Sequence, residues 1–292
     1  MRIKEWLLLI VLSGLWGGSF FFTKIALVDL PPLTIVLSRV ILAAIVLTIF
    51  VSSRGQKLPT SPKLWRSFFV MGALNTLIPF SLIVWGETQI SSSLASVLNA
   101  MTPVFTVLLA HLFTREERLT FNRAIGVAFS FCGVVVLIGF DVLQGMQLQS
   151  LGQFAVMGAA FCYGCAGIYG RRFRELPAAV TATGMLYATI VMLLPLTFAL
   201  EHPWTLNPTT ITLSALFALG FFCTAIAYLI YFHLLAIAGA TNASLVTFLI
   251  PISALLLGVF ILHEQLYWNT FAGMILIFVG LAAIDGRLLK TS

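Results

Sequence analysis

The stretch ASVLNAMTP at residues 95–103 returns as ASLVTFLIP at residues 243–251. Both begin with Ala-Ser, both end on Pro, and they are offset by 148 residues. The same offset carries Gly72 onto Gly220, Thr76 onto Thr224 and Glu116 onto Glu264. After a one-residue gap, Gly126 and Gly133 fall on Gly273 and Gly280. Near the start of each half, Trp16-Gly17 matches Tyr163-Gly164 and Lys24 matches Arg171. The chain therefore reads as two related halves, 1–146 and 147–292.

The composition says where those halves reside. Of 292 residues, 60% are hydrophobic and only 9% are charged, whereas a soluble domain carries about 25% charged residues. That little charge cannot clothe a soluble enzyme, a nucleic-acid-binding domain or a disordered chain. One membrane-crossing helix needs roughly 20 apolar residues. Continuous apolar runs place ten such spans at 5–28, 32–52, 66–86, 92–113, 120–140, 152–171, 177–200, 209–235, 242–262 and 267–286. The runs do not alternate as the strands of a membrane β-barrel would. The first imitates a signal peptide, but its apolar stretch is too long and lacks a small-residue cleavage site; it reads as a retained span.

Every one of the 16 basic residues except Lys24 and Arg39 falls in alternate loops or at a terminus on one side of this ten-span arrangement. By the preference of Lys and Arg for the cytoplasmic side, both termini are expected to be cytoplasmic. Five spans per half is an odd number, so the second half enters the membrane from the opposite side. The expected fold is an all-α integral membrane protein with ten transmembrane helices in two inverted five-helix repeats around a central cavity. That is an architecture of secondary transporters, whose substrate sits at the repeat interface and whose halves rock to give alternating access. Spans one to four and six to nine are expected to line the cavity, with spans five and ten outside it.

Proline inside a span frees the carbonyl four residues earlier, which in lipid must find a partner or face a cavity. Pro103 is expected to free the carbonyl of Asn99, Pro251 that of Thr247, and Pro79 that of Asn75. Helical spacing then sets Thr76 beside Asn75, Thr102 beside Asn99, and Thr224 with Tyr228 on the eighth span. Mid-span aromatics, Trp16 (with Ser19 on the same span), Phe80 and Tyr163, are candidates to stack on an apolar side chain. Arg39 lies about seven residues inside the second span, roughly 10 Å deep at 1.5 Å per residue; it would attract a carboxylate through paired hydrogen bonds. Lys24 lies in the outer third of the first span, where it either adds to a positive outer pathway or snorkels to the headgroups.

The ten acids all fall at span ends or in loops, Glu87 among them. With no carboxylate in mid-membrane, where proton-driven carriers usually place one, facilitative transport is expected. His111 and His233 read as interfacial. Cys132, Cys162, Cys165 and Cys223 lie in apolar runs, and the Cys162-x-x-Cys165 pair reads as helix packing rather than redox or zinc chemistry. No cofactor, metal or catalytic residue is expected. A cation exporter would want buried carboxylates, a sugar-phosphate carrier more buried basic residues, and a membrane enzyme a catalytic cluster at an interface. A passive channel differs from a carrier in lacking saturable flux with trans-stimulation. The Gly14-x-x-x-Gly18 spacing permits close helix contact, within the chain or between chains; a monomer is compatible with the sequence.

Four segments carry a family resemblance: LSGLWGGSFFFTKIAL (12–27), ASVLNAMTPVFTVLLA (95–110), TREERLTFNRAIG (114–126) and HEQLYWNTFAGMILIFVG (263–280). With the ten-span duplication, the chain resembles the drug/metabolite transporter superfamily of the EamA type over its whole length. The resemblance implies a bacterial inner-membrane exporter of small metabolites, and is greatest to exporters of aromatic amino acids. Its implied partners are a small-molecule substrate and the lipid bilayer, not nucleic acid. Drugs or other metabolites moved against a proton gradient are the alternative cargo.

Overall fold

The computed structural model describes residues 3–113, 120–138 and 148–285. The expected boundary between halves at 146/147, and Glu116, lie outside the described residues. Among the described residues, nine helices are long and apolar enough to cross a membrane: α1 Ile3–Ala26, α2 Pro32–Ser53, α3 Pro62–Glu87, α4 Ser92–Phe113, α5 Phe121–Ile138, α6 Leu148–Phe173, α7 Ala178–Leu200, α8 Thr210–Ala238 and, after a gap, α10 Trp268–Asp285. The gap holds α9, Val246–Phe260, a shorter apolar helix. The ten stand where the apolar runs place them, with ends shifted by a few residues.

Local chemistry sets those ends. Pro32 opens α2 and Pro62 opens α3, where proline's missing N–H costs no hydrogen bond. Ser91 accepts from the backbone N–H of Leu94, 3.2 Å away, to start α4. Gly239, with φ +79°, closes α8 in a conformation glycine adopts without strain.

The proline expectations need correction in one place. α4 is broken into Ser92–Asn99 and Thr102–Phe113, but the Asn99 carbonyl is not free: the Thr102 hydroxyl donates to it at 2.8 Å. In α9 the helix runs straight through Pro251. The interruption falls instead between Ala243 and Val246, ahead of the helix start. Pro251 is the sixth residue of α9 and lies inside the helix, so the Thr247 carbonyl is left without the backbone N–H it would otherwise receive.

The third and eighth spans each contain a π-helical segment, Ala73–Leu77 in α3 and Ala218–Ile226 in α8. The two overlap at the 148-residue offset, so Asn75 and Thr76 in one match Cys223 and Thr224 in the other. A π segment adds a residue to the turn and gathers at functional sites. Pro79 hints at the first; nothing in the sequence signals the second.

Glycine contacts follow the repeat. A Cβ on Gly133 would lie 2.7 Å from the Gly273 carbonyl oxygen, and a Cβ on Gly126 would collide with the Gly280 carbonyl oxygen. Exchanging each glycine for its repeat mate turns one contact into the other, and α5 and α10 run antiparallel. A two-fold relation between inverted halves requires this pattern. The remaining glycines of the expected GxxxG obey a different rule. Gly14 has no neighbour within 4 Å and Gly18 only ordinary contacts with Leu257 and Phe22, whereas Gly17 is pressed against Ile250, Ser253 and Ala254 of α9. The close contact is within the chain and centres on Gly17.

Candidate functional site

Arg39 is buried, with 7% of its surface exposed. Its Nε donates to Thr224 Oγ1 at 2.7 Å, and its guanidinium carbon lies 4.1 Å from the centre of the Phe80 ring. The Thr224 hydroxyl is itself oriented by donating to the Leu219 carbonyl, five residues back, at 2.8 Å. Only the π segment of α8 provides that reach. Cys223, Tyr163, Tyr228 and Glu87 fall within electrostatic range of Arg39. Asn75 Nδ2, from the π segment of α3, reaches the Tyr228 hydroxyl at 3.5 Å. Among the described residues no carboxylate forms an ion pair with Arg39. A buried cation in a membrane protein is costly and marks a functional position; its ring contact and single neutral hydrogen bond leave its charge without an ion pair among the described residues.

Five of the sequence candidates thus meet Arg39 in one group: Phe80, Asn75, Thr224, Tyr228 and Tyr163. Thr76 and Pro79 are buried in the same stretch of α3. Trp16 stands apart, against Tyr231 at 5.3 Å between ring centres. It connects onward through Tyr231–Phe232 and Phe232–Tyr228, each 5.9 Å. Phe232, absent from the sequence reading, closes that aromatic line. Ser19 is buried on α1. Asn99 leaves its Oδ1 buried without a partner, while Thr102, Pro103 and Thr247 are partly exposed and Pro251 is buried. None of these makes a hydrogen bond to the Arg39 group among the described residues.

At one face of the bundle, carboxylates each accept from another helix's N-terminus. Glu201 accepts from the backbone N–H groups of Leu33 (2.9 Å) and Thr34 (2.6 Å) at the start of α2. Asp29 accepts from Thr209 N–H (2.9 Å) and its hydroxyl (2.7 Å) beside α8. Glu264 accepts from the N–H and hydroxyl of Ser92 (2.7 and 2.8 Å) and of Ser93 (3.0 and 2.6 Å) at the start of α4. Anions belong at helix N-termini. Lys24 does the converse job: its Nζ donates to the carbonyls of Glu87 (2.6 Å) and Ile90 (2.9 Å) at the end of α3. It does not snorkel to headgroups. Sequence reasoning paired Glu264 with Glu116 by repeat but gave it no role.

Burial pushes the Glu264 carboxyl up, but the Ser93 and Ser92 donors outweigh it and hold it below its ordinary value. A depressed folded-state pKa contributes stability above the ordinary carboxylate value, about 4.3, that disappears as pH falls through the folded value. Thermal unfolding in detergent is therefore expected to be independent of Glu264 below that range. At pH 7, Glu264→Ala should cost about 1 kcal/mol, the low side of a lost cap because the site is partly exposed. An equal cost of the substitution at pH 3 and pH 7 would count against this role.

These features define a membrane transporter rather than an enzyme: two inverted helical halves and a buried charge where they meet. The chain belongs to the EamA-like transporter family, whose model matches residues 4–139 and again 150–284. An uncharacterized transporter, YoaV, from Bacillus subtilis (strain 168) is 25% identical over 280 residues, covering 96% of each chain. A probable amino-acid metabolite efflux pump from Escherichia coli (strain K12) is 27% identical over 292 residues, covering 96% of this chain and 94% of that one. A solved crystal structure, 20% identical and covering 99% of both chains, superposes with a TM-score of 0.70; it supports the fold alone.

Proposed function

We propose that this transporter exports neutral, chiefly aromatic, amino acids across the bacterial inner membrane by alternating access, with both termini in the cytoplasm and residues 1–146 and 147–292 rocking as the two halves. The observation that carries the substrate class is Arg39, buried without a carboxylate partner among the described residues and held by Thr224 and the Phe80 ring. A substrate carboxylate completes its charge pairing by two parallel hydrogen bonds. Tyr163, Tyr228 and the ring line from Tyr228 to Trp16 offer an aromatic side chain edge and face contacts. Asn75 supplies a polar anchor beside them. The likeness to a probable amino-acid metabolite efflux pump supports the same class.

The test is uptake of labelled phenylalanine into liposomes holding only this protein, with a lipophilic cation as the control cargo. Saturable phenylalanine flux, accelerated by unlabelled phenylalanine on the far side, is the expected result. Cation flux without phenylalanine flux would overturn the substrate class. Flux that neither saturates nor shows trans-stimulation would indicate a channel.

A further inference from the structure

Glu87, at the outer end of α3, is wholly buried, with 0% of its surface exposed. Neither carboxyl oxygen has a hydrogen-bond partner among the described residues. Every other carboxylate whose contacts are described above, Asp29, Glu201 and Glu264, is served by two or more donors. The charged groups facing Glu87 are Lys24 of α1, Arg39 of α2 and Glu264 beyond α9. Lys24 is at hand but spends its hydrogen bonds on the Glu87 and Ile90 carbonyls. The residue before Glu87, Gly86, crosses α6 at Gly152: a Cβ there would lie 2.9 Å from the Gly152 carbonyl oxygen. The residue after Gly152 is Gln153, whose Oε1 is also buried and without a partner. The Glu87 carboxyl is thus buried with no donor to its oxygens among the described residues. A carboxylate anion there would forgo all the solvation that makes burial of charge tolerable. The position of Glu87 at a span end hides this from the sequence, which places it with the interfacial acids.

We propose that Glu87 is a proton-binding site that gates the outer end of the transporter. With its proton in place, the carboxyl is compatible with the closed outer end, where Glu264 holds Ser92 and Ser93. When that clasp parts, outer water reaches Glu87. The O–H bond breaks, the proton passes to that water, and the Lys24 ammonium is the counter-ion for the anion left behind. Closure requires one proton to return from the same side. The expectation of transport indifferent to protons is replaced by transport whose outer opening is linked to pH. The inference rests on the inverted-repeat transporter reading but not on the identity of the cargo.

Infrared spectroscopy of the protein in lipid tests the proton directly and needs no substrate. At neutral pH a carboxylic-acid C=O band is expected, lost in Glu87→Gln and lost in the unaltered protein as pH is raised. Absence of the band, or its persistence in Glu87→Gln, overturns the proposal. Gating is then read from the pH profile of phenylalanine exchange. The unaltered protein and Glu87→Asp should show an inflection that Glu87→Gln lacks, although glutamine preserves the shape and neutrality of the protonated acid. A Glu87→Gln profile that follows the unaltered one overturns the gate. Should the infrared band be present while phenylalanine flux is absent, the amino-acid reading fails and the proton site stands.

Discussion

Replacing Arg39 with glutamine is expected to raise the half-saturating phenylalanine concentration by about 10- to 100-fold, with the protein still folded. The range follows from the ~1.5–3 kcal/mol carried by hydrogen bonds to a charged group, at 1.4 kcal/mol per tenfold. Glutamine retains a donor for Thr224 and relieves a buried charge, so stability should hold or improve. Lysine is the sharper variant. It keeps the charge but loses the planar fork that binds a carboxylate at two points, and its ammonium meets the Phe80 ring less well than a guanidinium does. Arg39→Lys should therefore fall between the unaltered protein and Arg39→Gln. If both variants transport phenylalanine with unaltered affinity, Arg39 is a structural cation and the carboxylate lies elsewhere. A parallel loss in Thr224→Val, which removes the acceptor that orients Nε, would tie the effect to the π segment of α8.

Ten spans, their order and the inversion were legible because each rests on a strong one-dimensional signal: apolar length, loop charge and an odd number of spans per repeat. The cluster around Arg39 was legible in part for the same reason. A charge deep in an apolar run stands out, and Thr224 and Thr76 are marked by the repeat. What was not legible depends on backbone that departs from the regular helix. A π segment shifts every later residue around the helix axis, so the spacing that groups Asn75 with Pro79 no longer describes one face. Thr102 answers the Asn99 carbonyl because the chain turns between them, and only coordinates reveal the turn. Glu87 shows the opposite failure. Its place at the end of a span suggested water, yet it is wholly buried, with Lys24 bound to the carbonyls of Glu87 and Ile90.

Alanine at Gly17 and at Gly164, repeat mates, should have opposite kinds of effect. Gly17 of α1 crosses α9, and Gly164 of α6 crosses α4; under the repeat these are one crossing seen twice. They are not equally close. A Cβ on Gly17 would lie 2.7 Å from Ser253 Cβ, 2.8 Å from the Ile250 carbonyl oxygen and 2.9 Å from Ala254 N, mostly backbone that cannot step aside. On Gly164 the nearest atoms are farther off, Leu109 Cδ1 and Thr106 N at 3.1 Å and Phe105 C at 3.2 Å, and need give by only a few tenths of an ångström. Gly17→Ala should therefore destabilise the protein by about 1–3 kcal/mol, the usual cost of overpacking, whereas Gly14→Ala, with open space around it, should be neutral or slightly stabilising. Thermal unfolding in detergent decides between them, and equal costs at Gly14 and Gly17 would sink the assignment. Alternating access by inverted halves exchanges the two crossings, so the α6–α4 contact must become the tight one in the opposite state. Gly164→Ala should then leave this state's stability nearly intact while abolishing most phenylalanine flux. Normal flux through Gly164→Ala would mean that the halves do not exchange these contacts.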